Sequence, residues 1–120
     1  MKDIAPNILR QRLLIEAFYT KDIDQKIIEN YFYGITTHLG LKTYGKPIIF
    51  SPAGMGKAEN QGYDAFIPLI DSGISLYVWA SAKFLSVVIY TCKSFVKEKA
   101  ITYTKNYFGI NTDQIEYMSF

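Results

Sequence analysis

The chain has 120 residues, 49% of them hydrophobic and 20% charged, with a formal net charge of +2. That length supports one core, the composition excludes a disordered chain, and the charge is too small and scattered for a nucleic-acid partner. A single cysteine and a single histidine exclude an internal disulfide and a cysteine-cluster metal site, so no metal is expected.

Met1 to Gln11 is a lead-in containing Pro6. It lacks the apolar stretch of a secretory signal, and no run reaches the roughly 18 apolar residues of a membrane span, so a cytoplasmic protein without a membrane partner is expected. Leu13 to Tyr19 reads as the first strand, with Glu16 either facing solvent or offering a carboxylate to a hydroxyl pair or an amine. Asp22-Ile23-Asp24-Gln25 opens a helix, with Asp22 as the expected cap and Gln25 reaching back. Ile23, Ile27, Ile28, Tyr31, Phe32, Ile35 and Leu39 form its apolar stripe, about five turns long, and Gly40 stops it. His38, in the last turn, reads as a helix-end group.

Leu41 to Ser51 is a second strand broken near Gly45 and Pro47, and Pro52 to Gly62 is a loop by composition. Within that loop Gly54-Met55-Gly56-Lys57 lacks the glycine spacing and the following Ser or Thr of a phosphate-binding loop. Asp64 to Ile70 is the next strand, with Pro68 implying an edge, a bulge or a strand end. Ile74, Leu76 and Val78 then alternate with Ser75, Tyr77 and Trp79, and Leu85, Val87 and Ile89 with Phe84, Ser86, Val88 and Tyr90. This is the period of two strands, joined by a hairpin at Ala80 to Lys83. A second helix follows with Ser94 as expected cap and Gly109 as its stop, and Asp113 to Phe120 is a final strand.

Strands joined by short turns are antiparallel, so the expected class is α+β: a two-layer sandwich in which an antiparallel sheet carries two helices on one face, residues 1–120 forming a single domain. The other sheet face, with Tyr77, Trp79, Phe84, Val88 and Tyr90, is too apolar to stay wet. A second copy of the chain is its expected cover, giving a homodimer or a larger symmetric assembly. The 16% aromatic content suits an aromatic core, and equally a subunit interface or a ligand that stacks.

The run Asp71-Ser72-Gly73-Ile74-Ser75-Leu76-Tyr77-Val78-Trp79, with Tyr90-Thr91-Cys92 behind it, resembles the prokaryotic S-adenosylmethionine decarboxylase family. The order of elements does so too, from Leu13 to about Phe120. The resemblance implies self-cleavage before Ser72, which becomes a pyruvoyl group, and makes Cys92 the active-site thiol that returns a proton to the substrate α-carbon. It also implies aromatic rings such as Trp79 around an adenine and a carboxylate such as Glu16 on the ribose. Read without it, Ser72 is a strand-start serine, Cys92 a small buried hydrophobe, and Trp79 and Tyr77 sheet packing.

The departures from the family pattern fall on the self-cleavage machinery. Asp71 replaces the glutamate before the cut, Asp64 the assisting serine, and Tyr77 the histidine that promotes ester breakdown. Ala80-Ser81 stands for Pro-Glu and Val88 for an aspartate. A phenol is a poor base at neutral pH, an ionised carboxylate cannot donate as a hydroxyl does, and one positioned acid–base group is worth about 10²–10⁴ in rate. The reading that follows is a homologue that does not self-process, binding S-adenosylmethionine or a related nucleoside or amine, or acting as partner or regulator of an active enzyme. Two alternatives stand beside it. One is a working pyruvoyl decarboxylase serving spermidine synthesis or acting on another amino acid. The other is a reaction without pyruvoyl that uses Glu16, Asp64 or Asp71 as acid or base.

Overall fold

The computed structural model describes residues 1–51 and 61–120, and the loop read from Pro52 lies, up to Asn60, outside them. Six strands form one antiparallel sheet: β1 (Gln11–Phe18), β2 (Ile48–Phe50), β3 (Gly62–Leu69), β4 (Ser72–Trp79), β5 (Phe84–Thr91) and β6 (Ile115–Ser119). Helix α1 (Gln25–Leu39) follows β1, and α2 (Lys97–Phe108) follows β5. The spatial order β2-β3-β4-β5-β1-β6 is a meander closed by the first strand, with the last strand on the outer edge. The expected α+β sandwich is what the chain forms.

Alternation along each strand sorts the side chains. Leu13, Ile15, Ile67, Leu69, Ile74, Leu76, Leu85, Val87 and Ile89 are buried beneath the helices. Each is worth about 1.5–3 kcal/mol of apolar burial. The helices bury Ile28, Tyr31, Phe32, Ile35, Ala100 and Phe108 in the same core. They lock together where the Tyr31 hydroxyl and Thr104 Oγ1, both buried, lie 2.7 Å apart and where Tyr107 Oη donates to the Ile27 carbonyl at 2.6 Å.

Several element ends differ from the sequence expectation. Asp24 caps α1, its Oδ1 accepting from Ile27 N at 2.8 Å, whereas Asp22 points outward toward Lys83 at 3.6 Å. Ile23 therefore precedes the helix, which is a turn shorter than its stripe suggested. Gly40 and Gly109 do stop their helices, at φ 68° and 64°, and Leu41 N and Ile110 N reach back to Thr36 O and Lys105 O. Ser94 caps nothing: α2 begins after Val96. The cause is Gln11, whose side chain bonds both Phe95 O (2.9 Å) and Phe95 N (3.0 Å) while the Phe95 ring is buried, so the segment after β5 stays out of the helix.

Gly62 belongs to β3, and Pro68 stands near that strand's end, past the stretch paired with β2. The broken second strand resolves into a bridge at Thr43 and the short β2. Among the described residues no helix is long and apolar enough to cross a membrane, and no cluster of His, Cys, Asp and Glu has the form of a metal site.

Candidate functional site

The chemistry-bearing residues singled out in the sequence divide between two regions of the sheet. The first is the β3–β4 hairpin end. Leu69 pairs with Ser72 across a two-residue turn of Ile70 and Asp71, and Asp71 takes φ 61°, a left-handed conformation that Asp tolerates better than most residues. Ser72 pairs in turn with Thr91. The next residue, Cys92, therefore arrives beside the serine, and its amide N–H donates to Ser72 Oγ at 3.2 Å.

That approach is held from behind. Thr91 Oγ1 donates to Lys93 O at 2.6 Å, Lys93 Nζ donates to Gly40 O at 2.9 Å, and Gln11 grips Phe95. Cys92 is exposed and its thiol is free, so the reading of it as a buried hydrophobe is corrected: it lies past the last paired residue of β5, beyond the cover of the helices.

The second region is a row across the sheet. Phe50, Asp64, Tyr77, Ser86, Glu16 and Glu116 are successive cross-strand partners from β2 to β6. All share the strand parity opposite to the core residues and so lie on the sheet face away from the helices. Asp64 and Tyr77 are direct neighbours, both exposed. Ser86 Oγ donates to Glu16 Oε2, which places Glu16 on this face with a hydrogen-bond partner and with the like charge of Glu116 opposite. Trp79, two residues beyond the row, packs on Phe84 with centroids 5.3 Å apart, and Phe84 on Phe18 at 5.2 Å.

The two regions are far apart within one chain. Tyr77 is five residues along β4 from Ser72, about 17 Å at the rise of a strand, and Trp79 about 23 Å. A shallow trough links them. One depression of about 400 Å³ includes Asp71, Ser72, Val88 and Tyr90, and an adjoining one of about 330 Å³ includes Asp64, Tyr77 and Phe50. Phe66 and Ser75 line both. Phe66 lies across Gly73, where a Cβ would fall 2.6 Å from its ring, so the glycine makes room for that wall.

Phe66 and Tyr90 were not singled out as site residues. The strand register would have found them, because Phe66 pairs with Ser75 and Tyr90 with Gly73. Val88, standing where an aspartate was expected, gives the trough an apolar wall. The one histidine, His38, is on the far side of the sheet at the end of α1, its ring 5.4 Å from that of Tyr103.

Compared with known proteins, residues 11–119 match the sequence model of a family described as S-adenosylmethionine decarboxylase. The comparison with curated proteins gives no match.

Proposed function

The chain belongs to the S-adenosylmethionine decarboxylase family, and we propose that it is a member that does not process itself. In this reading it keeps the trough as a binding site for S-adenosylmethionine or a related nucleoside or amine, acting alone or as the partner of an active enzyme. The family is pyruvoyl-dependent, and the observation that carries the proposal concerns how that group is made. Self-cleavage before Ser72 requires its hydroxyl to attack the Asp71 carbonyl carbon as the amide C–N bond breaks, leaving an ester and a free amine. A base must then take the serine α-proton as Asp71 departs as a carboxylate, before water replaces the amine nitrogen, lost as ammonia. The only imidazole in the chain is His38, exposed at the end of α1 on the helices' side of the sheet. The expected positions of base and hydroxyl helper are Tyr77 and Asp64. The residues present do not fit the making of a pyruvoyl group.

A homodimer belongs to the same proposal. Phe50, Phe66 and Tyr90 stand 64%, 39% and 42% exposed on one continuous face, more apolar surface than a lone sheet keeps in water. A two-fold axis through the trough would lay the Asp64–Tyr77 end of one chain over the Asp71–Ser72 end of the other. Neither end reaches the other within a chain. The dimer therefore supplies the test of whether Tyr77 and Asp64 are the limiting residues.

Intact-mass measurement on purified protein is expected to show one species of 13.7 kDa. Two fragments meeting at Asp71 and Ser72, the second carrying a hydroxylamine-reactive carbonyl, would instead establish the working pyruvoyl enzyme. That second reading is favoured by one contact, Cys92 beside Ser72. Asp64→Ser combined with Tyr77→His is expected to restore cleavage, and a double variant that stays whole would remove those two residues as the cause.

A further inference from the structure

A depression of about 600 Å³, larger than either part of the trough, is lined by residues of the helix layer. It lies on the opposite side of the sheet, between α1 and α2, and its volume is in the range of small-molecule sites. Its floor is a strip of rings. Tyr103 and Tyr107, one helical turn apart, stack at 5.8 Å with planes 19° apart, and His38 continues the strip at 5.4 Å and 31°.

The strip is rigidly held. A Cβ on Gly34 would sit 1.7 Å from the Tyr103 hydroxyl, so the missing side chain is what lets that ring press on α1. Tyr107 is tied through its hydroxyl to the Ile27 carbonyl. Burial raises the pKa of both phenols, which keeps them neutral.

The rim is polar and largely unengaged. Thr102 and Asn106, on the exposed edge of α2, form no side-chain hydrogen bond among the described residues, and neither does the Tyr103 hydroxyl. Lys21 approaches only the Asn106 carbonyl, at 3.3 Å. The outer surface of a helix layer is ordinarily polar throughout. An aromatic strip bordered by an amide and a hydroxyl pairs a stacking surface with edge-reading groups.

We propose that the α1–α2 groove is a second ligand site, for a flat heteroaromatic ring of nucleobase type. The ring face packs against the Tyr103–Tyr107 pair, and its edge exchanges hydrogen bonds with the Asn106 amide and the Thr102 hydroxyl. A base offers both features at once, whereas a plain aromatic ring offers only the face. The site is separate from the trough, and it stands whether or not Ser72 is processed.

The test is a titration of the full ¹⁵N-labelled chain with adenine, read as amide shifts. Saturable shifts are expected at His38 and across Thr102 to Tyr107. Asn106→Ala and Thr102→Val, both exposed positions whose spectra also report on folding, are each expected to weaken adenine roughly tenfold. Benzyl alcohol, which has a ring and no base edge, is expected to bind at least roughly tenfold more weakly than adenine. Three results would each overturn the proposal: no saturable shift, shifts confined to Ser72, Tyr90 and their neighbours, or adenine binding unchanged in Asn106→Ala. Of these, the second would assign the base to the trough and leave the decarboxylase reading intact.

Discussion

Tyr31 and Phe108 on one side of the sheet, and Phe66 and Tyr90 on the other, are similar side chains in opposite surroundings. The first two are fully buried, with ring centroids 4.7 Å apart, and one hydroxyl is satisfied by Thr104. The second two stand on an open face beside Ser72. The chain covers one face with its own helices, because β1 and β5 each lead into a helix that returns over the same side. It has no segment left among the described elements for the other face. The buried aromatic side chains on the helix side therefore make the fold, and those on the open side are left for association.

The sharpest way to break this contrast is to put charge on the open face. Phe66→Lys with Tyr90→Glu is expected to abolish self-association while leaving the circular dichroism spectrum intact, checked by sedimentation across a range of concentrations. A monomeric parent chain would remove a second copy as the cover of this face. On the helix side, Phe108→Ala is expected to cost about 3–5 kcal/mol through the cavity it leaves. That loss should appear in denaturant unfolding whatever the protein concentration, which distinguishes it from a loss of dimer.

A smaller effect separates the faces by pH. Burial holds the Tyr31 phenol above its ordinary value of 10.0 in the folded chain. The fold thus favours the neutral phenol: the stabilisation is complete below about pH 10 and is lost as pH rises from there toward the raised folded value. Melting temperature should fall above pH 10, and less steeply in Tyr31→Phe, which at neutral pH is expected to cost about 1 kcal/mol for its lost hydrogen bond. The smallest expected effect is at the start of α1. Asp24→Ala is expected to cost about 1 kcal/mol and Asp22→Ala close to nothing, since only the former side chain accepts from the helix.

The family resemblance was legible because it rests on local pattern. Asp71-Ser72 and Cys92 are twenty residues apart by way of one hairpin, and antiparallel register brings such residues together wherever the turn is short. Asp22, Asp24 and Ser94 show the opposite case. Two aspartates of equal chemistry competed for one cap, and a serine well placed for another lost it to Gln11, a residue 84 positions away from the backbone it holds. Nothing local in the sequence marks Phe66 as a site wall. It becomes one only when β3 and β4 pair in the register that sets it against Ser75 and over Gly73.

What the sequence determined by itself was therefore whatever depends on neighbours in the chain: the strand periods, the apolar stripe of α1 and the two glycine stops. Only the tertiary structure could decide which residues share the trough, that Tyr77 and Asp64 lie about 17 Å from the serine they were expected to serve, and that His38 faces Tyr103. The reason is physical. Period and capping are interactions within a turn or a strand, whereas distance across a sheet is set by which strands pair and in what register, and that is the property of the whole core.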